Sequence, residues 1–306
     1  MYKRQVPARL EQSTPGRLEG LVFREVARRA PGPAEVEVEV RVAAINFKDV
    51  LKAQGRLPAD YVAATATGEQ LGLEVAGVVT RRGDEVTGVQ VGDEVVCLAA
   101  PIATFVTLPA AHTVPRPRRL DWATSASLIN FATAHHALVS LGRVRAGERV
   151  LIHTAASGVG LAAIQLARGA GAEVIATAGT ERKRAALREL GVERVSDSRS
   201  LSFVSDVRRW TQVRGVVRGV DVVLNALTGE ALTDSLELLA PSGRFVEIGK
   251  VDILAHGALP LAAFDRGLSF AAFDFDQPAA AGDLLRAARA VAALLDSGEL
   301  QPLPTR

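Results

Sequence analysis

The 306-residue chain holds a single cysteine, Cys97. One thiol cannot make an internal disulfide, nor a zinc site built on several thiolates. Cys97 lies in Asp93-Glu94-Val95-Val96-Cys97-Leu98, the pattern of a buried strand. Nothing near it in sequence would lower its pKa, so it reads as a small apolar residue rather than a nucleophile. The five histidines, His112, His135, His136, His153 and His256, show no ligand spacing. His135 and His136 are adjacent, which on a helix points them about 100° apart. No metal is expected. Long apolar runs are also missing, so no stretch is expected to span a bilayer. Residues 1–12 are polar and basic without an apolar core, unlike a signal peptide. Together these place the chain in the cytoplasm, or in the cytoplasmic part of a larger assembly. Its 36 Lys and Arg are spread along the chain and leave a net charge of only +2, with no basic stripe interleaved with aromatics for nucleic acid. There are no internal repeats.

What is present is the composition of a globular protein, 48% hydrophobic and 23% charged, with length for one large domain or two ordinary ones. The first third is rich in β-branched residues and Gly turns. Val36 to Val42 alternates apolar and charged residues, a half-buried strand. Glu74 to Arg81 and Glu94 to Leu98 are further strands, separated by the turns Gly83-Asp84 and Gly92-Asp93. The expected product is a mostly antiparallel β domain over residues 1–121. From Trp122 the pattern changes. Trp122 to Leu141 reads as one helix. Strands at Arg149 to His153, Glu173 to Thr177, Arg194 to Ser196, Asp221 to Asn225, Arg244 to Ile248 and Leu268 to Phe273 follow. Helices at Val159 to Gly169, Arg182 to Leu190 and Leu232 to Leu239 intervene, and Asp283 to Leu295 is a last helix. Strands alternating with helices predict a parallel, doubly wound α/β sheet, a Rossmann domain over residues 122–290. The Arg/Pro-rich segments Arg28 to Pro33 and Pro115 to Arg119 read as connectors.

The sharpest local signal is His153-Thr154-Ala155-Ala156-Ser157-Gly158-Val159-Gly160, between a predicted strand and a predicted helix. A dinucleotide's pyrophosphate needs small residues for close backbone approach and a helix N-terminus to meet its charge. The spacing G-x-G-x-x-G falls on Ala155, Ser157 and Gly160, so only the last glycine is kept. The next strand ends in the neutral tip Ala176-Thr177-Ala178-Gly179, where an NAD enzyme usually carries an acidic residue. Thr180-Glu181-Arg182-Lys183-Arg184 follows. A cationic cluster there suits a 2′-phosphate, hence NADPH, with Thr180, Lys183 and Arg184 as candidates; a solvated helix face is the plainer alternative.

Several segments resemble the enoyl reductase domains of fatty-acid and polyketide synthases, in the zinc-free branch of the medium-chain dehydrogenase/reductases. Asn46-Phe47-Lys48-Asp49-Val50 is similar to their NFRDV segment. Leu73-Glu74-Val75-Ala76-Gly77 and Val91-Gly92-Asp93-Glu94-Val95 resemble their strand-and-turn segments. Ala146-Gly147-Glu148-Arg149-Val150-Leu151-Ile152-His153 leads into the glycine motif as it does there. Val220-Asp221-Val222-Val223-Leu224-Asn225-Ala226-Leu227 and Gly243-Arg244-Phe245-Val246-Glu247-Ile248-Gly249-Lys250 are the most specific. Leu73 stands where zinc members have histidine.

The resemblance implies a GroES-like β substrate domain beside the Rossmann domain. It implies NADPH as hydride donor to Cβ of an α,β-unsaturated thioester carried by an acyl carrier protein, with protonation at Cα. Lys250 and Asp274 match the Lys and Asp beside the family's nicotinamide, with Asp276 a second candidate on the same side of the strand. Asn46, Thr133, Asn225, Leu227, Phe245 and Gly249 match the lining of that region, and Ala155, Ser157, Gly158, Val159 and Gly160 match the pyrophosphate turn. The tyrosine donor of some polyketide members is replaced by Leu57 before Pro58. The proton therefore falls to Lys250, Asp274 or a water. Val6 to Leu10 resembles an interdomain linker, and residues 291–306 resemble the start of a return to the substrate domain. The chain is thus expected to be a piece of a multidomain synthase, with neighbouring domains as partners. A freestanding NADPH quinone or enone reductase, and a non-catalytic module with a degraded site, fit the same segments.

Overall fold

The structure is a computed structural model that describes residues 6–14 and 16–304. It divides into two compact units. One is built from the described parts of Met1–Ala132 and Phe275–Arg306, the other from Thr133–Asp274.

In the first unit β1 (Ala8–Gln12) pairs antiparallel with β2 (Leu21–Glu25). The segment expected as a linker is thus partly a hairpin strand. A second, antiparallel sheet contains β3 (Glu35–Ala43), β4 (Glu74–Arg82), β5 (Glu94–Leu98), β6 (Phe105–Pro109) and β7 (Thr113–Pro115), in the order β6-β3-β4-β5-β7. The alternation along β3 sends Val36, Val38 and Val40 into a core with Val75, Val79, Val95 and Val106. Cys97 belongs to the same core, and burial pushes its thiol up to about 12. On the other face Glu37 is buried as well, because Arg28 and Arg81 close over its carboxylate. The expected long helix is broken into Trp122–Ser125, Leu128–His135 and a π-helical stretch His136–Leu141, with Ala126 outside helical geometry. Its second piece starts against a buried carboxylate, since Ile129 N donates to Glu74 Oε2 at 3.1 Å.

The boundaries differ from those expected at residues 121 and 290. Trp122 lies under the Arg116 guanidinium at 4.7 Å, Arg118 N donates to Asp296 Oδ1, and Thr67 N donates to Asp276 Oδ1 at 3.1 Å. These contacts give residues 122–132 and 275–304, with the helix Ala281–Ser297, to the β unit.

The second unit holds β8 (Arg149–Ile152), β9 (Glu173–Ala178), β10 (Arg194–Asp197), a small hairpin of β11 (Gln212–Val213) and β12 (Val216–Val217), then β13 (Val220–Asn225), β14 (Leu239–Glu247) and β15 (Ser269–Ala272). Six of these form one parallel sheet in the order β10-β9-β8-β13-β14-β15. That is the doubly wound order in which the winding reverses between the first and fourth strands, and ligands gather there at the carboxyl ends. Two α-helices of this unit were not expected: Ser202–Trp210, which buries Phe203 and Val207 four residues apart, and the short Val251–Leu254. Among the described residues no helix is long and apolar enough to cross a membrane.

Candidate active site

β8 and β13 are neighbours at the point where the winding reverses. The turn after β8 carries the glycine motif. Thr154 takes a left-handed φ of 49°, and Ser157 N donates to Thr154 O at 2.9 Å. Ser157 then caps the helix Gly158–Gly169, its Oγ accepting from Gly160 N at 3.1 Å. The Ser157 hydroxyl thus closes the helix end. The Gly158 and Val159 amides lie in the first helical turn, where N–H groups lack intrahelical acceptors and suit a phosphate. A Cβ on Gly160 would lie 2.5 Å from Ala155 Cα, so only glycine lets the helix start this close to the turn.

His153, at the root of this turn, is fully buried. Its Nε2 meets Ser235 Oγ at 2.8 Å and its Nδ1 meets Thr177 Oγ1 at 2.9 Å. Ser235 already donates to Ala231 O at 2.6 Å, so it accepts from Nε2–H, and Thr177 donates to Nδ1. Burial pushes the imidazole down to about 3, and it stays neutral.

At the tip of β9 Thr180 caps the next helix, Glu181–Glu189, by accepting from Lys183 N at 3.3 Å. Arg184 does not stand free there. It donates to Ala178 O at 3.0 Å and pairs with Glu181 and Asp197. Lys183 is exposed, without an ion pair among the described residues. Arg199, which the sequence does not single out, packs over Gly179 so closely that a Cβ there would lie 2.9 Å from its Nε. Its signal was the small Gly179 opposite a cation one strand away.

On the β13–β14 side Asn225 and Glu247 are register partners. Asn225 Oδ1 accepts from Leu227 N at 3.1 Å, while its Nδ2 donates to Leu227 O at 2.8 Å and to Glu247 Oε2. Gly249 N donates to Glu247 Oε1. Burial pushes the Glu247 carboxyl up to about 7 against these two donors. Leu227, Thr228, Glu247, Gly249, Asp252 and Ile253 line a small pocket here. Lys250 follows, its Nζ donating to the carbonyl of Phe273, the residue before Asp274. The two expected partners are thus brought to adjacent strand ends. Phe245 is elsewhere. Its side chain is buried in the core, stacked on Phe270 at 5.2 Å because the two are register partners on β14 and β15. Thr133 is half-buried at the start of this unit.

Two residues belong to the other unit. Asn46 precedes the helix Phe47–Ala53, its N donating to Asp49 Oδ2 at 2.8 Å; its Nδ2 is buried without a hydrogen-bond partner among the described residues. Asp276 is not on β15, which ends at Ala272. It is buried against Thr67, Lys48 (2.9 Å) and Lys52 (3.4 Å), so it is no substitute for Asp274. Tyr61 lies under Lys48, 5.0 Å from Nζ to the ring centroid. Among the described residues no group of three or more His, Cys, Asp and Glu could hold a metal ion.

An antiparallel β unit, a six-stranded parallel sheet and a helix N-terminus tight against the β8 turn define an oxidoreductase of the medium-chain dehydrogenase/reductase type with a nicotinamide cofactor. Residues 32–117 match the alcohol dehydrogenase GroES-like domain, and residues 158–274 match the zinc-binding dehydrogenase family. The CurK enoyl reductase crystal structure is 36% identical, with a TM-score of 0.87 and coverage of 98% of this chain and 91% of that one. The JamJ enoyl reductase in its apo form is 32% identical, with a TM-score of 0.88 and coverage of 99% and 92%. The mycocerosic acid synthase-like polyketide synthase of Mycobacterium tuberculosis (strain ATCC 25618 / H37Rv) is 44% identical over 285 residues, 90% of this chain and 13% of that protein. This chain therefore belongs to the enoyl reductase domains of polyketide synthases.

Proposed function

We propose that the chain reduces α,β-unsaturated acyl thioesters with NADPH, taking its substrate from an acyl carrier protein among neighbouring synthase domains. One observation carries the reading: Lys250 and Asp274 stand at adjacent strand ends, on the same edge of the sheet as the β8 turn. The Cα–Cβ double bond accepts hydride only if the thioester oxygen can take up charge. Lys250, fixed through the Phe273 carbonyl, would polarise that oxygen or hold the proton destined for Cα, and Asp274 would orient the lysine. Gly158, Val159 and Ser157 would hold the pyrophosphate, and Asn225, Leu227 and Gly249 would border the nicotinamide, which supplies the hydride when bound. The tightness of the turn at Gly160 fits such a group. Purified protein mixed with NADPH and crotonyl-pantetheine should consume the nicotinamide absorbance only while thioester is present. Lys250→Ala should lower kcat about tenfold or more with NADPH affinity kept. Tight NADPH binding with no thioester turnover, on carrier or free, would refute the reading.

The same reading assigns the 2′-phosphate to Lys183 and Arg199, since Arg184 is engaged by Glu181 and Asp197. Arg199→Ala is expected to weaken NADPH binding about tenfold and leave NADH binding unchanged, in a fluorescence titration of both. Equal losses for the two nucleotides would remove Arg199 from that role.

A further inference from the structure

We propose that Glu247 is a positioning residue for the reduction: its carboxylate clamps the tips of β13 and β14 and so sets where Lys250 stands. This rests on the reading of Lys250 as part of the catalytic site.

The Asn225 amide cannot turn over. Its Oδ1 accepts from Leu227 N and its Nδ2 donates to Leu227 O, so a flip would set donor against donor and acceptor against acceptor. Asn225 can therefore show Glu247 only an N–H. Gly249 also shows an N–H, from the backbone. Both neighbours donate, and only a carboxylate accepts at both of its oxygens. A glutamine, or the protonated acid, would turn one N–H or O–H toward a donor. Gly249 makes the approach possible, since a Cβ there would lie 2.7 Å from Glu247 Oε1. The residue after Gly249 is Lys250, whose Nζ is anchored on the Phe273 carbonyl. The clamp thus fixes the backbone at one end of the lysine and the carbonyl fixes the other.

Keeping this charge buried works against the fold. Burial is the largest influence on the carboxyl and raises it; Asp252, on the next short helix, adds to the rise, while Asn225, Gly249 and Lys250 oppose it. A buried anion held by two neutral donors is costly, and an apolar pair across the two strands would serve stability better. The arrangement makes sense as a device that sets geometry.

The test uses wild type and Glu247→Gln, each with NADPH and crotonyl-pantetheine. For wild type, kcat should rise with pH and level off above about pH 7.5, as the carboxylate forms and the clamp closes. The Gly249 amide signal, read by NMR without substrate, should move with the same midpoint. Glu247→Gln should lower kcat by about tenfold or more and lose the acid limb. Its NADPH affinity should change by less than about threefold, and its melting temperature should not fall. Wild-type kcat and pH profile in Glu247→Gln would overturn the proposal, as would a Gly249 amide that does not titrate between about pH 5.5 and 8.5. A variant that loses melting temperature and NADPH affinity along with kcat would also overturn it, by assigning a structural role alone. If wild type turns over no thioester, the reductase reading fails, and the Gly249 titration decides the clamp separately.

Discussion

Replacing Gly160 by alanine is expected to raise the dissociation constant for NADPH by about two orders of magnitude, close to 3 kcal/mol. The added methyl would lie 2.5 Å from Ala155 Cα and 2.6 Å from its carbonyl carbon and oxygen. All three atoms are backbone, in a turn already held by Ala155 N to Thr177 O and by Ser157 N to Thr154 O. The turn cannot retreat, so the helix Gly158–Gly169 must. Its first amides then leave the place where they would meet the pyrophosphate, and Ser157 loses the Gly160 N–H that it caps. Overpacking of this kind costs about 1–3 kcal/mol in the fold as well. Isothermal titration of NADPH into the variant, alongside its melting curve, checks both parts. Wild-type affinity would show that the turn does not hold the phosphate.

Glu74→Gln is expected to stabilise the chain at alkaline pH. Glu74 lies on β4, wholly buried; its Oε2 accepts from Ile129 N, and its Oε1 has no partner among the described residues. Burial pushes its carboxyl from an ordinary 4.5 up to about 8, although the Ile129 and Leu128 amides pull the other way. Between these values the folded chain keeps a proton that the unfolded chain has released. Stability therefore falls as pH rises through that window, by up to about 1.4 kcal/mol per pH unit from this group. A glutamine can still accept from Ile129 N and carries no charge to bury. The variant should gain about 4 kcal/mol at pH 8 and melt several degrees higher there. At about pH 4, below that window, the difference between the two proteins should vanish. Parallel melting curves across the whole range would show that Glu74 does not titrate as described.

Much of this was legible in sequence because it is local. The Val36–Val42 alternation, the strand–turn–helix around Gly160 and the alternation of strands with helices that marks a parallel sheet all depend on neighbours a few residues apart. What depends on distant partners was not. Asp276 reads as one more residue of a strand until Thr67 and Lys48 are placed beside it. Arg199 stands outside the basic run at Arg182–Arg184, and only the sheet brings it over Gly179. Phe245 and Glu247 lie two apart on β14, both buried, one stacked in the core and the other turned to a pocket. The pairing of Lys250 with Asp274 came from resemblance to a family, since spacing alone carries no hint of it.

The split of the first unit across the chain has a bearing on the order of folding. Thr133–Asp274 is one uninterrupted stretch, whereas the β unit is completed only by residues beyond Phe275. The hydrogen bond from Thr67 to Asp276 closes a loop of 209 residues. His136 and Phe273, near the two ends of the uninterrupted stretch, pack edge to face with ring centroids 4.7 Å apart. Once that stretch has folded its ends are side by side, and the loop is shorter by its whole length, an entropic saving of about 1 kcal/mol. On the ribosome the nucleotide unit emerges whole, while Lys48 and Lys52 still lack their buried carboxylate. The part of the chain made first is therefore the part finished last, and the insert acts as the template that shortens its search.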